Sequence, residues 1–140
     1  YTPAEVHRIG LLDIRLFNMD RHGGNILVKR LGARQYRLVP IDHGFVLPDS
    51  VDGTELWFEW MTWPQARQPF DADTLRYVQE RVSIEEDARL LRQMGIREPC
   101  VATLIRSTAL LKRAAARGLT LHQIGAMLCR REPERPSLLE

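Results

Sequence analysis

The stretch Asn18-Met19-Asp20-Arg21-His22-Gly23-Gly24-Asn25 does most to restrict what this chain can become. It is polar and carries two glycines, and it separates a helical pattern from two short β runs. Upstream, Thr2 can cap a helix, Pro3 suits its first position and Glu5 completes a capping box. Val6, Ile9, Leu12 and Leu16 would then line one face of a helix running to Arg15 or Leu16. Downstream, Ile26–Lys29 and Tyr36–Ile41 read as strands joined by the turn Leu31-Gly32-Ala33-Arg34, a hairpin directly after the loop.

The remainder is helical. Gly44–Thr54 is turn-rich and reads as a surface loop. Helices are expected over Asp73–Arg81, from a capping box at Ser83–Glu86 to Gly95, over Pro99–Arg117 with Gly118 as the stop, and from Thr120 to Arg130. Residues 132–140, with Pro133 and Pro136, read as a frayed tail. Apolar residues make up 44% of the 140 and charged residues 27%, enough for a packed core. A net charge of +2 without a basic arm gives no argument for nucleic acid. Cys100 and Cys129 lack paired spacing and read as reduced thiols of a cytosolic protein. No apolar run is long enough to span a bilayer. The opening at Tyr1, directly in a helix pattern, suggests a piece of a longer protein.

The chemistry lies in spacing. Transfer of a phosphoryl group from ATP needs one carboxylate to orient the acceptor hydroxyl and oxygen ligands to hold Mg²⁺ on the phosphates. Kinases supply these from an Asp, an Asn five residues later and a second Asp beyond a short hairpin. Asp20, Asn25 and Asp42 have this order and spacing, and the hairpin should return Asp42 to the side of Asn25. Gly23 and Gly24 are expected to give the tight path between Asp20 and Asn25, including positive φ. Gly44 is expected to seat Asp42 at the mouth of a flexible segment. The plain alternative is a capped turn followed by a polar hairpin.

Asp20-Arg21-His22-x-x-Asn25, an apolar run and then Asp42-x-Gly44 resemble the signature of the phosphatidylinositol 3-/4-kinase superfamily, with the triplet reversed relative to protein kinases. The surrounding residues look most like type II phosphatidylinositol 4-kinases. Phe58-Glu59-Trp60-x-x-Trp63-Pro64-Gln65-Ala66 and Leu110-Leu111-Lys112-Arg113 are similar to the plant gamma subgroup. The resemblance implies an α+β fold: residues 1–131 as the mainly helical C-terminal lobe of a protein-kinase-like domain, with a β-hairpin after the catalytic loop. It implies Asp20 as catalytic base, Arg21 as brace of the loop, and His22 as a phosphate contact or a loop-structuring group. Asn25 and Asp42 become ligands of Mg²⁺ or Mn²⁺, with ATP as co-substrate. Phosphatidylinositol is the implied acceptor, and the implied location is cytoplasmic, with peripheral membrane contact left open.

A complete kinase also needs a phosphate-covering loop and a strand lysine. The two lysines, Lys29 and Lys112, do not precede the loop. The isolated chain is therefore expected to turn over negligibly. The competing readings are a protein Ser/Thr kinase of the same family and a non-catalytic binding or scaffold module. His7 and His122 read as solvent-facing or structural. Trp57, Phe58, Trp60 and Trp63 read as anchors to a helical core in preference to a bilayer. Arg106, Arg113 and Arg117 read as a solvated helix face, with anionic lipid as the alternative.

Overall fold

The computed structural model describes residues 1–51 and 55–129. The turn residues Asp52, Gly53 and Thr54, and the tail expected over 132–140, lie outside them. Thr2 caps helix α1, Pro3–Leu16, with both bonds of the capping box to Glu5 in place. A single 3₁₀ turn, Gly23–Asn25, leads into β1, Ile26–Arg30, which pairs antiparallel with β2, Tyr36–Pro40. Two 3₁₀ turns at Glu59–Thr62 and Pro64–Arg67 precede the helical half. That half consists of α2, Ala72–Arg76, α3, Ile84–Gln93, α4, Glu98–Ala116, and α5, Leu121–Leu128. The described residues are thus mostly helical, with one small two-stranded sheet.

Several expectations need correction. The helix read over Asp73–Arg81 is α-helical only to Arg76 and widens to a π-helical turn over Tyr77–Arg81. Lys112 explains how the wider turn is tolerated. Its Nζ donates to the Gln79 and Val82 carbonyls, which the altered ladder leaves for other donors. Ser83 caps α3 by accepting from Glu86 N. The last helix is described to Leu128, and Arg130, its expected end, lies outside the described residues. On α1 the buried positions are Val6, His7, Ile9, Gly10, Leu11, Asp13 and Ile14, while Leu12 and Leu16 are half-buried. The core therefore lies against a stripe turned from the expected one, with a carboxylate in it.

The core gathers α1, the hairpin base, the Leu56–Met61 segment, α4 and α5. Its largest pieces are Phe58 and Trp60, fully buried and stacked with ring centroids 4.7 Å apart. Trp57 is 53% exposed and Trp63 stacks on Tyr1, so the aromatic group divides between core and surface. Helix α1 crosses α5 so closely that a Cβ at Gly10 would lie 2.6 Å from Leu121 Cδ1. Only glycine fits there. His7 is buried and structural: its Nε2–H donates to the Gln65 carbonyl at 3.0 Å and its ring meets Phe70 edge-on. His122 likewise donates from Nδ1 to the Met61 carbonyl. Arg106, Arg113 and Arg117 are exposed along α4. Among the described residues, no helix is long and apolar enough to cross a membrane.

Candidate active site

Helix α1 ends at Phe17, whose φ of 48° turns the chain sharply out of the helix. The next eight residues fold back across the helix end under the control of one buried carboxylate. Asp13 accepts from Asn18 Nδ2 at 3.1 Å, from Arg21 Nε at 3.0 Å on each oxygen, and from Trp60 Nε1 at 3.0 Å. Asp13, Asn18 and Arg21 are each 0% exposed. Burial pushes the Asp13 carboxyl above the usual carboxylate range, and the Arg21 guanidinium, Trp60 and Asn18 pull it back only in part.

Arg21 is the hub of the loop. From Asp13 its guanidinium reaches across the open end of the hairpin, where Nη1 donates to the carbonyls of both Asn25 and Ile41. Nη2 reaches His43 Nδ1 at 3.3 Å. The Arg21 backbone carbonyl accepts from Glu59 N at 2.8 Å, so the segment after the long loop is fastened to the same residue.

The side chains offered for chemistry stand on the other side. His22 is exposed and Asp20 half-buried, with His22 Nε2 3.8 Å from Asp20 Oδ1. His22 Nδ1 accepts from Gly24 N at 3.1 Å and so caps the 3₁₀ turn, which makes loop-structuring its visible contact. Asn25 donates from Nδ2 to the Asp20 carbonyl at 2.9 Å and toward Asp20 Oδ2 at 3.4 Å. Its Oδ1 takes no part in these bonds. Beyond the hairpin, Ile41 N donates to the Asn25 carbonyl at 3.0 Å, bringing residue 42 back beside residue 25. Asp42 follows with φ 52° and holds Gly44 N through Oδ1 at 3.3 Å.

The glycines act otherwise than expected. Among the described residues, positive φ occurs in glycine only at Gly95 and Gly118, so Gly23 and Gly24 do not use it. At Gly24 a Cβ would meet His22 Cε1 at 2.9 Å, so the capping ring would have to shift. Near Gly44 the left-handed residues are Asp42 and Leu47, a conformation that Asp tolerates better than most side chains. The loop that follows is pinned along its described part. Phe45 O accepts from Met19 N, Leu47 N donates to Leu16 O, Pro48 O accepts from Thr103, and Asp49 pairs with Arg97.

Asp13 and the Trp60 indole N–H are site residues that the motif reading missed. The signal was present for Asp13, which stands at seven residues from Val6 and four from Ile9, on the apolar stripe of α1. A charge in that register must find partners.

Oxygen donors from Asn25 and Asp42 suit a hard cation such as Mg²⁺, with nucleotide phosphates and water completing its shell. Among the described residues, no group of three or more His, Cys, Asp and Glu forms an all-protein cage. Neither of two cavities, of about 640 and about 180 Å³, includes Asp20, Asn25 or Asp42 in its lining. Next to the loop the hairpin carries Leu27, 51% exposed, paired in register with Val39.

Residues 1–124 match the family described as phosphatidylinositol 3- and 4-kinase. Over its whole length the chain is 47% identical to phosphatidylinositol 4-kinase gamma 4 of Arabidopsis thaliana and 46% identical to phosphatidylinositol 4-kinase gamma 7 of the same plant. It is 44% identical to phosphatidylinositol 4-kinase gamma 4 of Oryza sativa subsp. japonica. These matches cover 25%, 22% and 25% of the relatives, so the chain spans about a quarter of their length.

Proposed function

The chain belongs to the phosphatidylinositol 3- and 4-kinase family, and from that premise we propose that it is the C-terminal lobe of an ATP-dependent kinase domain acting on phosphatidylinositol. The observation that carries the reading is the closure of the hairpin base. The Ile41 N to Asn25 O bond and the Arg21 bridge join the backbone at Asn25 to Ile41, the residue before Asp42, and Asn25 donates to the Asp20 carbonyl, which supports the reading of the three as one site.

Each side chain then has a part. The Asp20 carboxylate orients the inositol hydroxyl and takes up its proton. A carboxylate open to solvent suits that exchange, and a positioned base is worth roughly 10²–10⁴-fold. Asn25 and Asp42 would hold Mg²⁺ or Mn²⁺, which would supply neutralisation of charge on the phosphates. Exposed Leu27 and its partner Val39 offer an apolar floor on which the adenine would rest. The relatives named above are phosphatidylinositol 4-kinases, which makes the inositol 4-hydroxyl the leading acceptor. Residues for covering the phosphates would come from another part of the protein, and the 140 residues alone would turn over negligibly.

The test is an assay of a full-length protein containing these residues, with γ-labelled ATP, Mg²⁺, and phosphatidylinositol vesicles and a protein acceptor side by side. Label should enter the lipid, and Asp42→Ala should abolish it. Label in the protein acceptor alone would replace the lipid-kinase reading with the protein-kinase one. No transfer to either would favour a binding module.

A further inference from the structure

We propose that Asp13 is a positioning residue for the metal-holding pair. By gripping Arg21 from behind it fixes the guanidinium that joins Asn25 to Ile41, and so sets where Asn25 and Asp42 stand relative to each other. This rests on the metal-holding reading given above.

The geometry runs through one rigid group. A guanidinium is planar, so its Nε and Nη1 protons point in fixed relative directions. Asp13 holds Nε with both carboxylate oxygens, and that grip aims Nη1 at the Asn25 and Ile41 carbonyls. The Ile41 carbonyl belongs to the planar peptide that links Ile41 to Asp42. Holding this oxygen fixes the plane from which Asp42 departs at its left-handed φ of 52°. The Asn25 carbonyl, also held by Ile41 N, fixes the other strand at the same level.

Burial makes the placement informative. An ion pair in the interior contributes little stability over an apolar pair of the same volume, because desolvation offsets the attraction. Asp13 and Arg21 are nonetheless both fully buried. What an apolar pair could not supply is a cation aimed at two carbonyls on opposite strands. Trp60 shares the same carboxylate, so the segment following the long loop is registered against the same point.

The experiment uses the full-length protein and reads three quantities. These are Mn²⁺ affinity by electron paramagnetic resonance with a non-hydrolysable ATP analogue, hydrogen exchange at the Ile41 amide without metal, and kcat against KM. Asp13→Asn should weaken Mn²⁺ binding by about tenfold, the usual effect of disturbing a group behind a ligand. It should also speed Ile41 exchange and lower kcat, with the KM for phosphatidylinositol unchanged. A folded Asp13→Asn protein with wild-type Mn²⁺ affinity and Ile41 exchange overturns the proposal. If that variant does not fold, Arg21→Lys carries the test, since it keeps a cation beside Asp13 but lacks the planar fork. Wild-type Mn²⁺ affinity in Arg21→Lys would equally overturn it. Asp42→Asn separates the two levels of the argument. Unchanged Mn²⁺ binding there means the metal-holding reading has failed and this proposal with it, whereas loss there without loss in Asp13→Asn rejects the positioning role alone.

Discussion

The two sides of the Asn18–Asn25 loop differ in how their polar groups are used. Toward the core, Asp13, Asn18 and Arg21 are sealed from water and linked by hydrogen bonds to one another, to Trp60 and to both ends of the hairpin. Toward solvent, the side-chain contacts are few: Asp20 meets Asn25 and His22, and Asp42 accepts from Gly44 N. The proposed catalytic motif thus divides into a buried frame and a more exposed face, which the proposal makes the working face. The frame should govern stability, and the face should govern chemistry.

Removing the frame's cation should have the largest effect. Arg21→Met leaves the Asp13 charge buried without its partner, and a loss of about 3–5 kcal/mol is expected in denaturant titration. A loss under 1 kcal/mol would break the contrast. Trp60→Phe keeps most of the ring but takes one donor from the carboxylate, and it should cost about 1–3 kcal/mol.

A subtler effect concerns His7, a second polar residue on the buried side of α1. Burial lowers its pKa below the ordinary value, so the folded state holds it neutral while the unfolded chain takes up a proton first. The stability from neutral His7 is full above the unfolded value of about 6.5 and is lost as pH falls through the lower folded value. Thermal melts should therefore fall more steeply between pH 7 and pH 5 for the wild type than for His7→Gln. On the working face, Asp20→Asn and Asp42→Asn should change stability by no more than about 0.5 kcal/mol. Asn accepts the left-handed φ at position 42 as readily as Asp.

Much of this arrangement was legible in the residues, and what was not has a physical cause. The helix start at Thr2, the hairpin after Asn25 and the stops at Gly95 and Gly118 follow from local rules of capping, alternation and φ, and all are present. The π-helical turn at Tyr77–Arg81 has carbonyl partners from Lys112, which is distant in sequence and outside any local pattern. Positive φ is expected at Gly23 and Gly24 but used at neither, and at Gly24 a Cβ would press on the exposed His22 ring. Periodicity alone suggested Leu12 and Leu16 for the buried face of α1. The observed stripe instead includes Asp13, because its hydrogen-bonding partners come from the loop and from Trp60. The spacing of Asp20, Asn25 and Asp42 was readable, but the division between frame and working face required knowing which side chains are buried.

The most direct test measures stability and phosphoryl transfer together for Asp42→Asn in the full-length protein. The account predicts an unchanged melting temperature with Mg²⁺-dependent transfer to phosphatidylinositol lost. Transfer retained at the wild-type rate, or lost only in step with unfolding, would contradict it.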